Sequence, residues 1–196
     1  MVKLLNELQR LVVLMDSTII GFIGVVIGAV LTCGVSIYLD NKKEEREIKA
    51  TIKALKAELQ TVEHIFITEF GAKITTKEEH LVYSYPLDTD YFTIFQSNAT
   101  KIGKINNDKL RESIIFIYST CKFFIDCLKT NNVILEDYSK TKEKYCHLSD
   151  TDKMYNERYK KDMDSICYRL QKSKTENLLP TYNKLKALFD NFKTID

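Results

Sequence analysis

The sequence is short of the residues that break helices. Its 196 residues include two prolines and six glycines, and four of the glycines sit at positions 21, 24, 28 and 34. With turn punctuation that sparse, and Lys, Glu, Leu and Ile abundant, the chain beyond that cluster is predicted to be helical. Signatures of catalysis are missing too. The sequence has no glycine-rich phosphate loop, nucleophile elbow or H-E-x-x-H. Gly24-Val25-Val26-Ile27-Gly28 lacks the Lys and Ser/Thr that a phosphate loop needs. Arg111 and Asp126 fall on polar flanks of an apolar helix, where ion pairs or caps account for them. His64 lies off the apolar seam, as a solvated histidine. An enzyme is not expected, and no cofactor is implied.

The five cysteines, at 33, 121, 127, 146 and 167, form no C-x-x-C pair. With His64, His80 and His147 they match no four-ligand zinc spacing, so no metal site is expected. Reduced, mostly buried thiols are the reading that fits an odd, irregular set. A net charge of +2 leaves no polyanion footprint on the chain as a whole.

What the sequence does have is "STIIGFIGVVIGAVLTCGVSIYLDNKKEER", residues 17–46. No charge occurs from Ser17 to Leu39, and Asp16 and Asp40 fence the run. At ~1.5 Å per residue it reaches roughly 35 Å, enough to cross a hydrocarbon core of ~30 Å. A soluble helix of this length needs a polar face, and this one offers only Ser, Thr and Gly. The run is long for a signal peptide and ends in Tyr38-Leu39-Asp40, a poor cleavage site. Val30-Leu31-Thr32 before Cys33 lacks the small residues of a lipoprotein signal. A single transmembrane helix is predicted. Lys42, Lys43, Arg46, Lys49, Lys53 and Lys56 follow it, against Lys3 and Arg10 before it, which places the N-terminus outside and the bulk of the chain in the cytoplasm.

Ser17, Gly21, Gly24 and Gly28 step by four, three and four, with Thr32 beside them. They form a narrow small-residue face of the kind that lets helices pack closely in lipid. A pore would need four or more copies, and the span has no ionisable group to mark an ion path. Ahead of the span, Leu4, Leu5, Leu8, Leu11, Val12 and Met15 form a stripe that either lies on the membrane surface or extends the span.

After the span, Ile48, Ile52, Leu55, Leu59, Val62 and Phe66 repeat at four and three. This seam suits a short parallel coiled coil or one helix of an antiparallel bundle, the bundle being favoured because later helices also need a partner face. Gly71 is expected to close this helix. "LVYSY" alternates like a strand but has no mate. A short helix, a turn at Gly103 and a helix capped at Asn107 or Asp108 follow. Leu110, Ile114, Ile117, Cys121, Phe124 and Leu128 form a core stripe, widened by Ile115, Tyr118 and Ile125, and Asn131-Asn132 is expected to stop it. A bend near "HLSDTDK", capped by Ser149 or Asp150, precedes a stripe of Tyr155, Tyr159, Met163, Ile166 and Leu170. The last stripe is Leu178, Tyr182, Leu185, Phe189 and Phe192, with Pro180 either in a first turn capped by Asn177 or kinking one long helix.

Two basic groups are candidate anion or nucleotide contacts. Lys101, Gly103 and Lys104 lie beside an expected helix N-terminus. Arg158, Lys160 and Lys161 belong to a mixed-charge helix whose simplest role is a solvated face.

"YFTIFQSNATKIGKI" and "LRESIIFIYSTCKFFID", placed after a span and a charged helix, resemble membrane-anchored helical proteins of bacteria and their prophages. The likeness covers residues 17–130, with Asn98 through Gly103 as its one motif. Some proteins of this plan are membrane effectors of anti-phage defence, including the Hailong type. There a nucleotidyltransferase makes a nucleic-acid signal that restrains the membrane protein. The resemblance implies a regulated homo-oligomer, a tetramer for a pore, in the bacterial inner membrane, and a nucleotide or oligonucleotide regulator. It transfers no ligand-contact residue.

The expected organisation is an amphipathic segment at 1–16, a transmembrane helix at 17–39 and a cytoplasmic helical domain at 40–196. The fold expected is all-α, a single span continuing into a bundle whose first helix is coiled-coil-like. A membrane effector, with the lipid bilayer and its own copies as partners, is the leading reading. A membrane-tethered adaptor that binds a cytoplasmic protein without conductance is the alternative.

Overall fold

The computed structural model describes residues 2–87, 90–146 and 153–195. The protein is all-α, with no strand among the described residues. Helix α1 spans Val2–Glu63 and passes into a π-helical segment, His64–Phe70, and the short α2, Gly71–Ile74. Residues 75–92 lead to α3 (Thr93–Ser97) and α4 (Ala99–Ile102). Then come α5 (Asp108–Cys146), α6 (Lys153–Lys172), a second π-helical segment (Ser173–Leu178) and α7 (Leu179–Phe192). The chain divides into two compact units, Met1–Ala50 and Thr51–Asp196.

The first unit is helix alone. Residues 2–16 are helical and continuous with the apolar run, so the N-terminal stripe extends that helix. The side chains of Leu11, Val12, Met15 and Ser17 lie outside the described residues.

The second unit is built on α5. Its N-terminus is capped as the sequence predicts: Asn107 Oδ1 accepts from the Leu110 N–H at 3.0 Å. Arg111 pairs with Asp108 at 2.6 Å and donates to the Ile105 carbonyl at 2.7 Å. Leu110, Ile114, Ile117, Cys121, Phe124 and Leu128 are buried, as their four-three spacing requires. The second half of α5 packs on α6, where Ile134 and Leu135 meet Ile166 and Leu170. Arg169–Asp137 at 2.9 Å and Tyr145–Asp162 at 3.0 Å fix that pair antiparallel. Helix α7 packs on α5, and its Leu185 and Phe189 are buried.

Four local expectations are corrected. Gly71 does not close the first helix; it is helical itself, at φ −57° and ψ −40°. A Cβ there would lie 2.5 Å from Tyr182 Cε2, so the glycine makes room for a ring rather than a turn. Asn131-Asn132 does not stop α5, which runs on to Cys146. Asn131 is buried and donates to the Leu81 carbonyl at 3.3 Å. Asn132 accepts the Tyr85 N–H at 3.1 Å and donates to the Tyr85 carbonyl at 2.8 Å. The side chains thus pair backbone that forms no strand, which is how a lone "LVYSY" is held. Ile115, expected to widen the core, is exposed. Asn177 caps nothing: the second π-helical segment joins α6 to α7, and Pro180 falls in the first turn of α7. A π turn loosens the backbone where proline cannot donate to the Glu176 carbonyl. The bend expected near His147–Asp150, with its caps Ser149 and Asp150, lies outside the described residues, as does the side chain of Tyr155.

Candidate functional site

The helix from Gly21 onward is long and apolar enough to cross a membrane. Its best window has a mean hydropathy of 2.3, and none of that window is buried by the protein. Phe22, Val25, Val30 and Leu31 are all exposed. In water each forfeits about 1.5–3 kcal/mol relative to burial. Gly21, Gly24 and Gly28 share one face, and a Cβ built on any of them meets nothing within 4 Å. Thr32 continues that face and donates to the Gly28 carbonyl at 2.7 Å, so its hydroxyl is satisfied without a partner. Lys42 donates to the Tyr38 hydroxyl at 3.3 Å, an aromatic–cation pair suited to a membrane–water boundary.

In the second unit, Leu55, Leu59, Val62 and Phe66 are buried within the chain's own bundle and Ile52 is half-buried; Ile48, also half-buried, belongs to the first unit. Phe66 stacks on Phe70 at 5.5 Å and packs against Phe124 at the same distance. Beside this seam is a polar cluster that sequence reading missed. The Glu58 carboxylate accepts from the Ile94 N–H at 2.7 Å, the Phe95 N–H at 3.1 Å and the Tyr118 hydroxyl at 2.5 Å. The two amides open α3 and have no acceptor within that helix. Phe95 stacks on Tyr118 at 4.0 Å, so the carboxylate and the ring pair bind α1, α3 and α5 at one point. Burial first, then the bond to Glu58 and its charge, hold the Tyr118 phenol well above the ordinary tyrosine range. The signal was available: at i±3 and i±4 Glu58 has only Ala54, Leu55, Thr61 and Val62. A carboxylate without local cations, beside an apolar seam, needs distant donors.

The two basic groups do not converge. Lys101 and Lys104 lie just ahead of the start of α5, whereas α6 runs back from Tyr145, which meets Asp162. At 1.5 Å per residue, α5 holds those regions roughly 50 Å apart. Arg158, Lys160 and Lys161 are exposed on α6; Lys101 is half-buried and Lys104 exposed. Gly103 sits in ordinary right-handed geometry, φ −59° and ψ −22°.

A buried lysine completes the picture. Lys174, in the second π-helical segment, donates to the Thr76 and Glu78 carbonyls at 2.8 and 2.6 Å. It ties the chain just past the end of α2 to this segment. His64 is exposed and 3.8 Å from Glu69. Cys121 and Cys127 are buried, and burial raises both thiols; Cys33 and Cys146 are exposed. No cluster of three or more metal-ligating side chains occurs among the described residues. No protein-family model, curated protein or solved structure matches the chain.

Proposed function

We propose that this chain is an oligomeric membrane effector, whose helical domain restrains the spans until a signal releases them to form a pore. In this reading residues 17–39 cross a bacterial inner membrane with the N-terminus outside, and the basic flank from Lys42 to Lys56 stays in the cytoplasm. The single observation that carries it is the open glycine face: a Cβ on Gly21, Gly24 or Gly28 meets nothing within 4 Å, in a helix whose apolar window the protein leaves uncovered. Small residues facing nothing in lipid are surface for another span. The role in anti-phage defence rests on the resemblance of residues 91–105 and 110–126. A nucleotide or oligonucleotide regulator would meet Arg158, Lys160 and Lys161, which are exposed together on α6.

The test is the mass of the full-length chain in detergent, followed by conductance in liposomes. A tetramer or larger assembly that conducts is expected, with both properties lost on Gly24→Ile and Gly28→Ile. Because a Cβ on either glycine meets nothing within 4 Å, the substitutions leave the fold of the single chain alone. A monomer or dimer without conductance overturns the effector and leaves a tethered adaptor.

A further inference from the structure

Helix α1 carries its glycines and two of the cations that follow the apolar run on one line. Gly24 to Lys42 and Gly28 to Arg46 are each eighteen residues, about five whole turns at ~3.6 residues per turn. The helix is continuous between them, so Lys42 stands over Gly24 and Arg46 over Gly28. Both cations are exposed. The carboxylates of the same turns lie elsewhere. At ~100° per residue, Asp40, Glu44 and Glu47 fall roughly 140–160° round from the Gly24–Lys42 line. Glu45 is closer, roughly 60° off, and its spacing suits Lys42 and Lys49. Arg46 has Lys42, Lys43, Lys49 and Ala50 at i±3 and i±4, so no carboxylate neutralises it from a neighbouring turn.

The depth of this line decides what it meets. In the reading above the hydrocarbon ends near Leu39, and the polar layer beyond it is ~5–7 Å deep. At ~1.5 Å per residue, Lys42 lies ~5 Å past Leu39 and Arg46 ~10 Å. Helical side chains lean toward the N-terminus, which in this reading is the membrane side. Lys42 does so: its Nζ donates to the Tyr38 hydroxyl at 3.3 Å and sits 5.4 Å from the centre of that ring. The ammonium and the guanidinium, on long flexible stems, thus reach the layer of the lipid phosphates. There each cation adds roughly fivefold to the affinity for an anionic surface.

We propose that Lys42 and Arg46 bind the phosphate of an anionic phospholipid, on the same face through which Gly24 and Gly28 take another span. Copies gathered on that face add their cations round one axis, so anionic lipid and association favour each other. The site rests on the membrane anchoring proposed above, but not on a pore.

The test uses the full-length chain reconstituted in vesicles and, separately, in detergent. Release from the vesicles by alkaline carbonate would overturn the anchoring and the site with it. A chain that stays but shows no lipid preference overturns the site alone. In native mass spectrometry, phosphatidylglycerol should bind roughly 25-fold better than phosphatidylcholine, and inorganic phosphate should not displace it. Lys42→Gln and Arg46→Gln should each lower that preference roughly fivefold. Lys43→Gln, at the same depth but about a quarter-turn off the line and with Glu47 at i+4, should lower it less than about twofold. Equal losses at all three would mean general attraction to charge and overturn the site. Displacement by inorganic phosphate would assign the cations to a soluble anion and overturn the headgroup. Energy transfer between labelled copies in vesicles should rise when phosphatidylglycerol replaces part of the phosphatidylcholine. In the double variant Lys42→Gln, Arg46→Gln it should stay level. Transfer in the parent that ignores the lipid would place the headgroup away from the span contact and overturn the shared face. Lipid-dependent association in vesicles that do not conduct removes the pore and leaves the site standing.

Discussion

Replacing Glu58 by glutamine changes one charge and almost no volume, so it isolates the carboxylate. Three donors converge on it: the Ile94 and Phe95 amides and the Tyr118 hydroxyl. A hydrogen bond to a charged group is worth about 1.5–3 kcal/mol and a neutral one about 0.5–1.5. Glutamine offers one accepting oxygen and turns an NH2 group toward the remaining donor. Two bonds lose their charge assistance and one loses its acceptor. The carboxylate is half-buried, so the low end applies, a local loss of about 2 kcal/mol or roughly 30-fold in the opening equilibrium. Hydrogen exchange reads this directly, because the first amides of a helix have no intrahelical acceptor. On the full-length protein in detergent, the Ile94 and Phe95 amides should exchange roughly 30-fold faster, while those of α6 hold their rates. Tyr118→Phe should cost about 1 kcal/mol, and less once Glu58 is already glutamine, since the two share a bond. If Glu58→Gln leaves Ile94 and Phe95 within about twofold of the parent, the carboxylate is not what ties α1 to α3, and the reasoning fails.

Four further outcomes are expected. Gly71→Ala should lower stability by about 1–3 kcal/mol in denaturant titration, because the new Cβ meets the Tyr182 ring at 2.5 Å, and Tyr182→Leu should restore part of the loss. Gly103→Ala should instead be neutral or stabilise by about 0.4–1 kcal/mol, since its geometry suits any residue and its nearest neighbour is 3.5 Å from the new Cβ. Lys174→Met should cost about 1–3 kcal/mol by removing two charge-assisted bonds to the Thr76 and Glu78 carbonyls, and proteolysis should then cut first within residues 75–80. Alkali should destabilise the domain through Tyr118 and Tyr85, whose phenols burial holds above the ordinary value. Their contribution is intact below the unfolded tyrosine pKa of about 10 and is lost as pH rises above it. Thermal melts from pH 8 to 11 should show the fall, and Tyr118→Phe should flatten it.

The long apolar helix and the core stripe of α5 were legible because each is a local pattern. A long run without charge has few soluble solutions, and a four-three repeat fixes a buried face whatever it packs against. Reading failed where a residue's local preference served a distant contact. Asn131-Asn132 has the composition of a helix end, yet its side chains reach backbone 50 and 47 residues away. Gly71 has the composition of a helix stop, yet it answers to a tyrosine in the last helix. Ile115 shows a different limit: periodicity locates the centre of a buried stripe but not which flank a neighbour covers. Glu58 gave a sign only in what it lacked, a local cation, and its partners lie 36, 37 and 60 residues on.

The seam after the span decides how copies of this chain can meet. Read alone, Ile48 through Phe66 serves a parallel stalk as well as a bundle. The structure spends Leu55, Leu59, Val62 and Phe66 inside the chain. Turning those four side chains toward another copy would first expose them, at about 1.5–3 kcal/mol each, or roughly 6–12 kcal/mol together. That equals the whole stability of an ordinary domain, about 5–15 kcal/mol. A stalk could form only by dismantling the fold it projects from, and Glu58 would lose its three donors in the process. Association without unfolding, as proposed above, would have to use a face the chain leaves open, such as the glycines at 21, 24 and 28. Cross-links between copies at Leu59→Cys should therefore be absent under mild oxidation of the folded chain. Efficient coupling through Leu59→Cys would mean that the bundle opens to make the stalk.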